Sequence, residues 1–200
     1  SVAVTIASGA TLNVNTRSDT IGSLAGAGTL TNAGGTAATI TFGVLNTDTT
    51  FSGDITDATG SLNHVKQGTG TTVFSGANSY DGATTISTGT LNIQHANALG
   101  TATSGTTVAA TGAALELQGG IAVGAEALGL SGTGVSGSGA LRNVSGVNSY
   151  AGNITLNAYT YSSELILVPR ELLQDQSFNL EDYITRMAAQ RIGRKLNKDT

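Results

Sequence analysis

The chain of 200 residues contains no cysteine, no tryptophan, one proline and one methionine, and charged residues make up only 11% of it. Without cysteine there is no disulfide framework, no thiol nucleophile and no thiolate metal site. The charged fraction is less than half of the roughly 25% found in ordinary globular domains, and a formal net charge of -4 lacks the basic footprint of a general nucleic-acid binder. Scarce proline, and glycine without a period of three, exclude collagen. A hydrophobic content of 39% at low net charge excludes a disordered chain. No apolar run approaches the roughly 18 residues that a membrane-spanning helix needs, and the opening stretch from Ser1 to Val14 lacks the basic and long apolar regions of a signal peptide. With no initiator methionine, the sequence is expected to be an excerpt of a longer one.

What is abundant is glycine, and it is unevenly placed. Residues 1–158 hold 27 of the 28 glycines and only ten charged residues, whereas residues 159–200 hold Gly193, Pro169 and twelve charged residues. The chain therefore divides near residue 156 into two regions, 1–156 and 157–200. The first is a string of short alternations such as Val4-Thr-Ile6, Leu12-Asn-Val14, Ile40-Thr-Phe42, Leu91-Asn-Ile93 and Leu115-Glu-Leu117. Each puts two large side chains on one face, the period-two pattern of a half-buried strand. No helical period is held for three turns.

These strands recur. Ser75-Gly-Ala-Asn-Ser-Tyr80-Asp-Gly82 returns as Ser145-Gly-Val-Asn-Ser-Tyr150-Ala-Gly152, identical at six of eight positions. A shorter unit, a β-branched residue followed by glycine and then Leu-x-apolar, occurs at Ile6/Gly9/Leu12/Val14, Ile86/Gly89/Leu91/Ile93 and Val108/Gly112/Leu115/Leu117. The spacing of the last two suits one coil of a solenoid built from three short strands and three turns. The pattern predicts an all-β parallel solenoid of about seven coils. An antiparallel sandwich is the competing arrangement, but its tight hairpins favour Asn-Gly or Asp-Gly, and Asp81-Gly82 is the only such pair in residues 1–158.

The stretches Phe51-Ser-Gly-Asp-Ile55, Gly68 to Leu91, Asn97-Ala-Leu-Gly100 and Gly137 to Gly152 resemble the autotransporter-associated β-strand repeat of bacterial passenger domains. The resemblance spans about residues 1–156. It implies a right-handed parallel β-helix, exported across the Gram-negative outer membrane and displayed or released at the cell surface. The membrane barrel usual in that family is not found in this sequence.

Residues 157–200 read differently. Tyr159 to Val168 is a strand candidate closed by Pro169. A helix is expected over about 180–196, with Glu181 and Asp182 in its first turn, basic residues in its last turns, and an apolar stripe of Leu180, Ile184, Met187, Ala188, Ile192 and Leu196. Tyr161 to Asp175, Phe178 to Ile184 and Ile192 to Asn197 resemble the spine-helix region of tailed-phage major capsid proteins. That resemblance implies packing against other capsid subunits in a virion.

Chemistry is sparse. His64 and His95 stand in no metal-ligating spacing and are expected as solvated or turn residues. Asp54 and Asp57 read as turn formers before they read as a hydrolytic pair. Gly132-Thr-Gly134-Val-Ser-Gly137 matches the dinucleotide fingerprint only formally, because no strand-to-helix context or later acidic residue accompanies it. Tyr80 and Tyr150, with Asn78 and Asn148, occupy equivalent positions of the long repeat. They are the candidate repeat-face contacts, the tyrosines as sugar-stacking platforms or as corner residues packing over the next coil, the asparagines as ladder or turn-capping groups.

No catalytic, metal or cofactor site is expected. The sequence points to a non-enzymatic β-helical passenger or adhesin-type region, secreted or at the cell surface, with host surfaces or glycans as partners and no specific nucleic acid. The alternatives are a virion structural protein carrying β-repeats and, more weakly, a polysaccharide-acting enzyme on a β-helix.

Overall fold

The period-two segments fold as strands, and every pairing between them is parallel. The structure, a computed structural model, describes residues 1–157. One side of the stack is a seven-stranded sheet running Ala3–Ile6, Ser23–Gly26, Thr49–Phe51, Thr71–Phe74, Gly89–Ile93, Ala113–Gln118 and Leu141–Ser145. A second seven-stranded sheet runs Asp19–Thr20, Ala38–Phe42, Leu62–Lys66, Thr84–Ile86, Thr106–Val108, Leu128–Leu130 and Ile154–Leu156. The chain alternates between them, so each circuit contributes one strand to each sheet and stacks on the previous circuit. Seven coils result, about 30 Å tall at the usual strand spacing.

The third side is incomplete. Thr11–Asn13, Thr29–Asn32 and Asp54–Asp57 form a three-stranded sheet across coils one to three, and Ala122–Val123 pairs with Ser149–Tyr150 across coils six and seven. In coils four and five, residues 75–83 and 94–105 cross this side without a strand. Among the described residues the only helical element is a short 3-10 turn, Val135–Gly137. It falls within the formal dinucleotide fingerprint, which is therefore a turn.

Stacking equivalent strands turns the alternation of each coil into continuous inward rows. Phe51, Phe74, Ile93 and Leu117 are in register on the first sheet. Phe42, Lys66, Ile86, Val108 and Leu130 are in register on the second. Phe74 ties the two sheets together, its ring centroid 5.5 Å from Phe42 and 6.4 Å from Phe51. Each of these large apolar side chains contributes about 1.5–3 kcal/mol by leaving water. Outward positions on the second sheet form the row Thr20, Thr41, Val65, Thr85, Thr107, Gly129 and Thr155, which is where β-branched residues fit a pleated surface.

The charge in the second inward row is satisfied locally. Lys66 is fully buried, and its Nζ donates to the carbonyl oxygens of Gln67 at 2.8 Å, Gly68 at 2.9 Å and Thr88 at 3.2 Å. Burial pulls its pKa down to about 8, against the opposing pull of Asp48. The ammonium supplies donors to carbonyls at the corner where the chain leaves the second sheet for the first.

One repeat assignment changes. Ile86, Leu91 and Ile93 do pair with Val108, Leu115 and Leu117. The Ile6/Gly9/Leu12 unit is not their equivalent. It turns the corner from the first sheet to the third, whereas Ile86 to Leu91 turns from the second to the first. Similar turn chemistry serves two different corners. The strand expected at 159–168, the helix expected at 180–196 and the capsid resemblance lie outside the described residues.

Candidate functional site: the break in the third sheet

Of the four repeat-position residues, Asn78 and Tyr80 lie in the gap of the third sheet at coil four and are buried, whereas Asn148 and Tyr150 lie on the third side of coil seven. Asn78 is buried. Its Oδ1 accepts the Ile55 N–H at 2.9 Å from the coil before, and its Nδ2 donates to the Ala98 carbonyl at 2.7 Å in the coil after. One side chain thus joins three coils where strand pairing is missing. Asn148 repeats half of this arrangement, accepting the Ile121 N–H at 2.7 Å and donating to the Leu117 carbonyl at 3.2 Å. Both asparagines bond backbone groups of neighbouring coils.

Tyr80 is fully buried, which removes it as a sugar-stacking platform. It packs in the corner, its ring centroid 4.3 Å from that of His64 and its hydroxyl 2.8 Å from Thr84 Oγ1. Burial pushes its pKa well above the ordinary phenol value. Tyr150 is half-buried, and its hydroxyl is shielded from water without a hydrogen-bond partner.

The histidines separate. His95 sits in a turn, its Nδ1 accepting the Asn97 N–H at 3.1 Å, as expected. His64 does not fit the solvated reading. It is 0% exposed, lies in register between Ile40 and Thr84, and has no hydrogen-bond partner on either ring nitrogen. Phe42, Phe74 and Tyr80 surround it. Alternation from buried Leu62 places His64 and Lys66 on the inward face, the one signal in the sequence that could have placed both.

Asp54 and Asp57 lie on a strand and not in a turn. Asp57 Oδ2 accepts the N–H groups of Leu62 and Asp81, each at 2.9 Å, so it ties coil three to coil four.

Sequence reasoning missed Glu126. It is 5% exposed; its Oε1 accepts a hydrogen bond from Thr106 Oγ1 at 3.0 Å, and its Oε2 is buried with no partner. Burial raises its pKa, and the Thr106 hydrogen bond only partly opposes this. Nothing in the local sequence Gly124-Ala-Glu-Ala127 distinguishes it from an exposed turn residue. Glu126 lines a cleft of about 310 Å³ together with Asn78, Leu99, Thr101 and Val123. The cleft opens where coils four and five lack their third strand. Among the described residues no three histidine, cysteine or acidic side chains gather at a metal-sized site.

Residues 62–93 carry the buried lysine, the Phe74 junction, the Asn78 clamp and the Tyr80 corner within little more than one coil. Residues 65–93 match the passenger-associated transport repeat. The passenger repeat therefore coincides with the coil whose side chains tie its neighbours together. It agrees with the autotransporter resemblance, on a shorter stretch than the 1–156 read from sequence. No curated protein and no solved structure matches the chain.

Proposed function

We propose that residues 1–157 act as a non-enzymatic structural spacer in a secreted or surface-displayed passenger region, with outward side-chain rows as its contact surface. The passenger repeat at 65–93, lying inside two seven-stranded parallel sheets, carries this reading. A solenoid suits the role because each added coil extends it by about 4.8 Å without a new fold. The outward row on the second sheet offers threonine hydroxyls at five of its seven levels, so a host surface or glycan would be met by several similar weak contacts and not by one pocket. Tyr80 and Asn78 take no part in such contacts because they are buried.

Antibodies raised against residues 1–157 test the location on which this function depends. Intact cells of the producing organism, or their culture medium, are expected to carry the signal before lysis. Signal that appears only after lysis would overturn the proposal.

A further inference from the structure

The walls around His64 differ in how they are held. Phe42 sits on a second-sheet strand and Phe74 on a first-sheet strand, and both sheets run through all seven coils. Tyr80, its ring centroid 4.3 Å from the imidazole, belongs to residues 75–83, which cross the third side without a strand. That crossing is fixed by separate bonds and not by a ladder. The Ser79 N–H donates to the Ile55 carbonyl and the Thr101 N–H to the Tyr80 carbonyl, each at 2.9 Å, beside the Asn78 clamp, the Tyr80 hydroxyl contact with Thr84 and the Asp81 N–H bond to Asp57. The ionisable groups next to His64 are the Tyr80 phenol and, two residues along its own strand, Lys66, whose ammonium is turned to the corner carbonyls. Ile40 and Thr84, in register on either side, bring no charge.

We propose that coil four carries an acid-operated door: protonation of His64 drives the Tyr80 corner outward while the two long sheets stay paired. An imidazolium enclosed by three rings, with no acceptor on either nitrogen, lacks both water and a counter-charge. Moving one wall restores the water. Tyr80 is the wall that yields, because a segment outside the ladder opens at lower cost than a strand inside it. The way out is short, since Asn78 and Ser79 of the crossing, and Gly100 packed against Tyr80, line the cleft on this side. Enclosed, the imidazole has a pKa of about 3; open to water it returns to about 6.5. Each pH unit below about 6.5 therefore favours the open form by about tenfold, until pH nears the enclosed value. In acid surroundings the rod uncovers aromatic interior at one corner and keeps its length.

Hydrogen exchange of the full chain at pH 7 and pH 4.5, corrected for intrinsic rates, tests the door. Protection of the Ser79 and Thr101 amides is expected to fall by about a hundredfold, while the first-sheet strand Ala113–Gln118 keeps its protection within about threefold. His64→Leu, or His64→Met if the leucine variant does not fold, should abolish the fall. Asp57→Asn, which removes the other acid-sensitive group bonded to this corner, should leave it in place. Unchanged protection at Ser79 and Thr101, an equal fall in Ala113–Gln118, a fall that survives replacement of His64, or one abolished by Asp57→Asn would overturn the proposal.

Discussion

Replacing Gly53 with alanine is expected to destabilise the solenoid by about 3 kcal/mol or more, at the severe end of single substitutions. Gly28, Gly53 and Gly76 follow the first-sheet strands of coils two, three and four and stack on one another. A Cβ on Gly53 would lie 1.8 Å from the Gly28 carbonyl oxygen, and one on Gly76 would lie 2.0 Å from the Gly53 carbonyl oxygen. The obstacle is backbone, so no side-chain rotation relieves it. Coils three and two would have to separate at that corner, breaking the Ser52 N–H bond to the Gly26 carbonyl, 2.8 Å long. Gly35→Ala is the control. Its Cβ would meet nothing closer than Thr59 Oγ1 at 3.7 Å, so its effect should stay within about 0.5 kcal/mol. Chemical denaturation of the two variants measures the difference, and equal stabilities would contradict close coil contact at Gly53.

The second large effect is acid sensitivity from His64. Burial holds its pKa at about 3, against about 6.5 for an unfolded histidine. Between those values the unfolded chain takes up a proton that the folded chain refuses. Stability from this site is therefore intact above about pH 6.5 and falls as pH drops towards 3. At one pKa unit per 1.36 kcal/mol, the loss reaches about 3 kcal/mol by pH 4. Carboxylates also titrate in this range, so the informative quantity is the difference between the parent and His64→Leu. The variant also removes two buried ring nitrogens that have no partner, and its advantage should widen steadily from pH 6.5 to pH 4. Parallel stability curves for the two proteins would show that His64 is not enclosed by Phe42, Phe74 and Tyr80.

Glycine and histidine illustrate what was legible in the sequence and what was not. The register of Ile86, Leu91 and Ile93 with Val108, Leu115 and Leu117 is readable because alternation and turn glycines are local signals, and stacking merely repeats them. The sheet to which a corner belongs is not local, which is why Ile6 to Leu12 passed for the same unit. His64 and Lys66 follow the inward parity of Leu62, but their polarity hides it. Only the stack shows that three carbonyls receive the lysine and that three aromatic rings enclose the histidine. Tyr80 and Asn78 were legible as special through their repetition at Tyr150 and Asn148. Their role was not, since repetition marks a shared corner equally well whether it faces solvent or the core. Glu126 had no sequence signal, because its burial comes from the coils stacked on either side of it, with Thr106 of coil five bonded to its carboxyl and Gly152 of coil seven against its backbone.

The parallel coil register is the claim on which the rest depends, and the absence of cysteine allows it to be measured directly. Spin labels at Cys pairs replacing Thr85 and Thr107, Thr41 and Thr107, and Thr41 and Thr155 report one, three and five coil steps along a single outward row. Dipolar EPR should give backbone separations rising by about 4.8 Å per coil, close to 5, 14 and 24 Å once label length is allowed for. Distances that do not rise in that order, or a Thr85 to Thr107 separation well beyond one coil spacing, would contradict the solenoid.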